Sequence, residues 1–197
     1  EPALTARGRW MIGTTLLRTG RYEAARDAFK SAAILFERAG ERETVGAMQS
    51  LVADAEFRLG DNAAGFGTMR AALATLRPYQ GSLVTHNLLA VAAGAANADK
   101  HPLAALELES EDVAVSTHIR EPMYLAESRL ARAELLINDG DNRRAEADLG
   151  AARRTIDSLP NGLARRWFTA DMQSDEALES LQHNPKRSIV ALDSVIT

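Results

Sequence analysis

The chain of 197 residues contains no cysteine, which excludes disulfides, thiolate nucleophiles and cysteine-bound metals. Aromatic residues make up only 5% of the sequence. No apolar run approaches the roughly 20 residues that a membrane-spanning helix needs. A basic segment followed by an apolar one, typical of a secretory signal, is also missing from the start. We therefore expect a cytoplasmic location and no membrane partner.

The net charge is small, and charged residues are distributed unevenly along the chain. The formal net charge is −4, which gives no general reason to expect a nucleic-acid partner. Residues 1–100 hold 12 Lys and Arg against 10 Asp and Glu, and residues 101–197 hold 11 against 17. An excess of acidic residues of this size is typical of solvated helical faces rather than of a binding patch.

Turn residues recur every forty positions, at Gly20, Gly60, Lys100 and Gly140. The tripeptide Gly-Asp-Asn at Gly60 appears again at Gly140. A fixed period of about 20 to 50 residues indicates a solenoid, in which each unit buries its apolar face against its neighbours. The sequence therefore predicts an extended surface rather than a single deep pocket.

Each period contains two stretches in which apolar residues recur at helical spacing, separated by a short turn. Short turns place neighbouring helices antiparallel. We predict an all-α fold of ten helices in five hairpins, which together form a single domain over residues 1–197. The predicted units are 1–40, 41–80, 81–120, 121–160 and 161–197.

The ends of the sequence suggest a piece of a longer chain. It starts at Glu1 without a methionine and stops within an apolar helical pattern at Thr197. A solenoid needs polar capping units to stay soluble. We therefore expect an uncapped last hairpin, through which dimerisation is possible.

Small and aromatic residues are spaced in the first unit in a characteristic way: Gly13, Gly20-Arg21-Tyr22, Ala25, Phe29 and Ala32. This pattern resembles the tetratricopeptide repeat (TPR), and the resemblance implies a right-handed superhelix of helical hairpins. The fourth unit carries a weaker version, and Gly65 in the second unit stands where the family has alanine. The period of forty also exceeds the family's usual length of about 34 residues.

A second resemblance concerns residues 159–168 and 185–196, which look like the last repeats before the caspase-like peptidase domain of bacterial CHAT proteins. It implies a regulatory or sensing arm whose catalytic domain lies beyond this segment. A third interpretation is the sensor domain of a bacterial transcription regulator. All three interpretations leave the segment itself without catalytic activity.

Candidate catalytic and cofactor residues give weak patterns. The four histidines, His86, His101, His118 and His183, form no metal-binding motif, and we interpret them as exposed residues in or near turns. The segment Gly65-Phe66-Gly67 lacks the third glycine of a dinucleotide fingerprint. We expect no cofactor, no metal and no enzymatic activity.

Two charged segments are interpreted as solvated helix surface. The first is an acidic run formed by Glu107, Glu109, Glu111 and Asp112. The second is a set of basic pairs: Arg143-Arg144, Arg153-Arg154 and Arg165-Arg166. These arginines could hold a phosphate or an acidic peptide, but interleaved acidic residues favour ion pairing within the helix. The interleaved residues are Asp141, Glu146, Asp148 and Asp157.

The TPR resemblance implies a concave groove, lined by the first helix of each hairpin, that binds a protein or peptide partner. Carried over by position from each turn, the candidate binding residues are Arg7, Trp10, Thr14, Leu17, Arg18, Asp54, Phe57, Arg58, Asn97, Glu134, Ile137 and Asn138. In the third unit the same register also includes Asn87, Ala90 and Gly94. Trp10, Phe57 and Ile137 are either apolar anchors for a partner or part of the core. The predicted function is non-catalytic protein–protein interaction. The arginine and lysine pattern of chaperone-binding members is not present, which disfavours a chaperone adaptor.

Overall fold

A computed structural model describes residues 2–79, 81–160, 162, 165–166, 168–170 and 172–174. Within these residues the secondary structure is helical, without strands. Eight helices have complete bounds: α1 Pro2–Arg18, α2 Tyr22–Ala39, α3 Arg42–Arg58, α4 Asn62–Leu76, α5 Leu83–Ala98, α6 Pro102–Ser116, α7 Pro122–Asp139 and α8 Asn142–Ser158. The prediction of an all-α fold is confirmed, and the predicted turn residues Gly20, Gly60, Lys100 and Gly140 lie between these helices.

The recurring turns explain why the helices end where they do. Gly20, Gly60 and Gly140 have φ angles of 76°, 77° and 82°, in the left-handed region where a side chain is strained. Asp61 and Asp141 then cap the next helix, because their carboxylates accept the backbone N–H of Ala64 and Arg144 at 3.1 and 3.2 Å. The repeated Gly-Asp-Asn therefore combines a stop and a start signal.

The chain divides into two compact units, and the first covers Glu1–Asp99. In it α1 packs on α2, α2 on α3 and α3 on α4, while α5 lies against α3 and α4. The glycine at the middle of α1 permits close packing: a Cβ on Gly13 would lie 2.6 Å from the Phe29 ring. On the next pair, a Cβ on Gly46 would lie 2.6 Å from Leu76. Small residues therefore face large ones where paired helices cross.

The second unit covers Lys100–Thr197, and in it α7 packs on both α6 and α8. Its core consists of buried apolar residues from α7, α8 and the segment that follows: Ala126, Leu130, Ala133, Leu136, Ile137, Ala145, Leu149, Ala152, Ile156, Phe168 and Met172. Leu106 of α6 packs against this core.

Several predictions stay untested by these residues. The predicted last helix from Pro185 lies outside the described residues, as do His183 and the terminal Thr197. The boundary between the two units, at Asp99 and Lys100, falls at the turn of the third predicted hairpin. Five hairpins in one domain, their superhelical arrangement and their forty-residue period therefore stay predictions.

Candidate functional site

A groove between α3 and α5 is the candidate binding site. One wall is formed by Asp54, Phe57, Arg58, Gly60 and Asn62. The opposite wall is formed by Val91, Ala95, Ala98 and Asp99. Its volume is about 450 Å³, within the range of about 300 to 1,000 Å³ of ligand-binding clefts. We call this depression the α3–α5 groove.

Phe57 is the aromatic residue that lines the groove, and α4 fixes its position. The ring packs edge-on against Phe66, with centroids 4.9 Å apart and planes at 72°. It also lies directly on Gly65, where an added Cβ would come within 2.6 Å of the ring. The glycine that departs from the TPR pattern is therefore the residue that makes room for Phe57.

The charged rim of the groove is held in place by neighbouring groups. The Arg58 Nε atom donates to the Asp54 carboxylate at 2.8 Å, one turn earlier on α3. The Arg58 guanidinium also lies 5.9 Å from the centroid of the Tyr22 ring on α2. The negative charge of Asp54 raises the pKa of Arg58, and burial opposes this effect. Arg58 is therefore a permanent, oriented cation among the residues that line the groove.

Three of the predicted binding residues meet in this groove: Asp54, Phe57 and Arg58. The residues on α1 do not line it. Trp10 is 38% exposed, and Arg7 forms an ion pair with Glu41 at 3.7 Å. The remaining predicted residues outside the groove are Thr14, Leu17, Arg18, Asn97, Glu134 and Asn138. Of these, Leu17 is half-buried and packs against the core of the first unit.

Ile137 belongs to the core, and its prediction as a groove residue is wrong. It is 1% exposed and packs in the apolar cluster of the second unit. It lies only one residue from the fully buried Leu136, so both face the interior at the end of α7. A single large aliphatic residue near a helix end gives no sequence signal that distinguishes core from groove.

The wall formed by α5 was missed by the sequence interpretation. The predicted lining in this helix was Asn87, Ala90, Gly94 and Asn97, whereas Val91, Ala95 and Ala98 line the groove. The predicted lining of α5 was carried over from equivalent positions in the other units, and equivalent residues face the same direction. Residues on opposite walls of a groove must instead face each other. Since each residue turns the helix by about 100°, the facing flank of α5 lies one position further along.

Half of the acidic run is buried, which contradicts its interpretation as solvated surface. Glu109 and Asp112 are 4% and 0% exposed, whereas Glu107 and Glu111 face solvent. The spacing explains the division, because residues three or four apart lie on the same face of a helix. Glu109 and Asp112 share the inward face, and Glu107 and Glu111 share the outward face. The Ser128 hydroxyl on α7 donates to Asp112 at 2.6 Å, which satisfies one of the buried oxygens.

A largely buried ion pair joins α7 to α8, with side-chain exposures of 20% for Arg132 and 9% for Asp148. Arg132 donates from Nε and Nη2 to the two carboxylate oxygens of Asp148, each at 2.7 Å. These hydrogen bonds raise the pKa of Arg132, against the opposing effect of burial. Asp148 was expected to pair within its own helix and instead faces inward to α7. A local pair does occur nearby, since Arg144 in the first turn of α8 lies 3.6 Å from Asp141, the residue that caps this helix.

Two further polar residues, His86 and Glu56, are buried without any sequence pattern that predicts their burial. His86 is 2% exposed on α5, so its interpretation as an exposed turn histidine is wrong. His101 and His118 are exposed, as predicted. Glu56 is buried on α3, where its carboxylate accepts from Thr68 of α4 at 2.6 Å and pairs with Lys30 of α2 at 3.1 Å. Glu56 therefore ties three helices together.

The described residues contain no group of three or more His, Asp or Glu side chains placed to hold a metal ion. The helices described there are each too short or too polar to span a lipid bilayer.

Comparisons with known proteins identify a similar fold. No known protein family matches the sequence, and no curated protein matches it. Among solved structures, the crystal structure of BtubC (BKLC) from P. vanneervenii is similar, with a TM-score of 0.68 and 18% sequence identity. The similarity covers 83% of this chain and 69% of that one. At this identity, what the two chains share is an arrangement of packed helices.

Proposed function

We propose that this chain is a non-catalytic interaction scaffold that binds a peptide or a helix of a partner protein in the α3–α5 groove. The observation that carries the proposal is the composition of the groove. Half-buried Phe57 and Val91 supply apolar surface on the two walls, and the Asp54–Arg58 pair and Asp99 supply charged groups. Interaction hot spots typically combine an apolar anchor with such a polar surround.

Pre-organisation supports the same function. Phe57 is fixed by Phe66 and Gly65, and Arg58 is fixed by Asp54 and Tyr22. A binding surface whose side chains are already ordered loses little conformational entropy when a partner docks. The groove therefore has the properties of a recognition surface rather than of a mobile loop region.

The proposal includes a TPR-like architecture, in which successive hairpins form a right-handed superhelix with a period of forty residues. Two contacts support it, because Gly13 faces Phe29 in one helix pair and Gly46 faces Leu76 in the next. Arrays of this type present extended binding surfaces along their first helices. The α3–α5 groove uses residues from two such helices.

Selection of short random peptides displayed on phage tests the proposal. Peptides enriched on the wild-type protein are labelled, and their affinity is measured by fluorescence anisotropy. Ala98→Arg fills the groove from an exposed position at the end of α5, so we expect affinity to fall at least about tenfold. Ala74→Arg is the matched control, since Ala74 is exposed on α4 outside the groove.

Circular dichroism verifies that both variants keep the helical content of the wild type. If every enriched peptide binds wild type and Ala98→Arg equally, the site is not in the groove. If the selection enriches no peptide at all, the scaffold function is contradicted.

A further inference from the structure

A second depression lies in the unit formed by α1–α5, at the other end of α3. Its walls come from α2, α3 and α4, and the residues that matter are Ile34, Arg38, Arg42, Val45 and Gln49. Its volume is about 540 Å³. We call it the α2–α4 cleft. It shares no lining residue with the α3–α5 groove.

The cleft combines an apolar rim with an apolar wall. Ile34 is 57% exposed on α2, although it is a large aliphatic residue. Val45, buried on α3, lines the same cleft. A lone exposed isoleucine is ordinary on a protein surface, but one that lines a concavity offers a contact to a bound side chain.

A hydrogen-bond acceptor in the cleft is unused. The Gln49 Oε1 atom is buried, and it has no hydrogen-bond partner among the residues that the structure describes. Buried polar atoms are normally paired, since they lose water without compensation otherwise. Because the atom is shielded, the Gln49 side chain would have to turn toward the cleft for this oxygen to accept from an N–H group of a bound molecule.

Two cations also line the cleft. Within the described part of the chain, neither Arg38 nor Arg42 forms an ion pair, while Glu37 contributes one opposite charge. Arg42 is the first residue of α3, where the helix dipole disfavours a positive charge. An anionic group placed between the two guanidiniums would therefore be attracted by both.

We propose that the α2–α4 cleft binds a segment of a partner protein that carries an acidic side chain about one helical turn from a large apolar side chain. The carboxylate lies at Arg38 and Arg42, and the apolar side chain lies on Ile34 and Val45. The Gln49 side chain turns toward the segment and accepts from one of its N–H groups. The spacing follows from α2, where Ile34 and Arg38 are four residues, or about 6 Å, apart along the helix. A partner segment lying along α2 matches both positions at once.

The test uses phage-displayed random peptides on the Ala98→Arg variant, so that peptides specific for the α3–α5 groove are not recovered. Enriched peptides are expected to share an Asp or Glu three or four residues from a Leu, Ile, Met or Phe. Arg38→Glu combined with Arg42→Glu should weaken their binding at least about tenfold, and salt should weaken it in the starting protein. The matched control is Arg9→Glu combined with Arg21→Glu, which changes the net charge equally at exposed positions outside the cleft.

Three results would overturn the proposal. Enriched peptides could lack acidic residues, they could bind the charge-reversed protein equally, or no peptide could be enriched. A fourth result points to another occupant: if the protein alone sediments as a dimer that Ile34→Asp dissociates, the cleft holds a second copy of this chain. The failure of the α3–α5 groove in its own test leaves these outcomes unchanged, because the two sites use separate residues.

Gln49→Leu separates binding from folding. Removing the unpaired oxygen should leave the urea midpoint of the free protein equal or higher, since no hydrogen bond within the described residues is lost. Peptide affinity should fall several-fold, because the donor of the peptide loses its acceptor. Unchanged affinity would remove Gln49 from the contact and overturn that part of the proposal.

Discussion

The contacts of Arg132 show how the environment of a residue determines how much its charge contributes to stability. Both of its hydrogen bonds to Asp148 are 2.7 Å long, and they join α7 to α8 at the edge of an apolar core. By contrast, Arg144 and Asp141 form an exposed pair at 3.6 Å. The two pairs contain the same chemical groups, but only the first has lost most of its contact with water. Breaking the Arg132–Asp148 pair should therefore lower the free energy of unfolding far more than breaking the Arg144–Asp141 pair.

We predict that Arg132→Ala lowers the free energy of unfolding by about 3 kcal/mol, because Asp148 becomes a buried carboxylate without its cation. Arg144→Ala should lower it by less than about 0.5 kcal/mol. Urea denaturation followed by circular dichroism measures both. The double variant Arg132→Met with Asp148→Leu should recover most of the loss, since it removes both charges together. Equal losses for the two alanine variants would contradict this account.

At the scale of one helix, α4 contains two glycines with different surroundings. An added Cβ on Gly65 would lie 2.6 Å from the Phe57 ring, whereas nothing lies within 4 Å of one on Gly67. In an open helix interior, alanine is favoured over glycine by roughly 1 kcal/mol. Packing therefore requires glycine at position 65, whereas the structure shows no steric reason for glycine at position 67.

Gly67→Ala should accordingly stabilise the protein by about 0.5 to 1 kcal/mol, whereas Gly65→Ala should destabilise it because Phe57 must move. The displacement of Phe57 should also weaken peptide binding in the α3–α5 groove, which Gly67→Ala leaves intact. Thermal unfolding and fluorescence anisotropy measure the two effects. If both substitutions stabilise the protein alike, Gly65 does not position Phe57.

Across the whole molecule, the features that could be predicted from the sequence are those with local causes. Helix ends follow from glycine turns, from the capping aspartates Asp61 and Asp141, and from prolines at the first positions of α6 and α7. The burial of Asp112 could not be predicted in this way. It depends on Ser128, which is sixteen residues away on another helix. Periodicity specifies which residues share a face, but it does not specify which polar residues find partners there.

The candidate site was predicted in part for the same reason. Asp54, Phe57 and Arg58 were found because positions counted from the Gly60 turn identify one face of one helix. Val91 and Ala98 were missed because a groove depends on how a second helix is rotated toward the first. The α2–α4 cleft has no repeat signature. Its acceptor and its two cations lack partners among the residues that the structure describes, and this depends on their surroundings rather than on their spacing in the sequence.

The forty-residue spacing of Gly20, Gly60, Lys100 and Gly140 in the sequence gives a prediction at the scale of the whole chain. Lys100 occupies the position that is glycine in three other turns, and its φ angle of 61° lies in the left-handed region. A side chain there costs roughly 1 to 2 kcal/mol, which is partly offset because glycine has more freedom in the unfolded chain. Lys100→Gly should therefore stabilise the protein by about 0.5 to 1 kcal/mol in urea denaturation. Gly140→Lys makes the opposite change at an equivalent turn and should destabilise it by a similar amount. If Lys100→Gly destabilises the protein, the Lys100 side chain contributes more than the strain of its backbone costs, and the four turns are not equivalent.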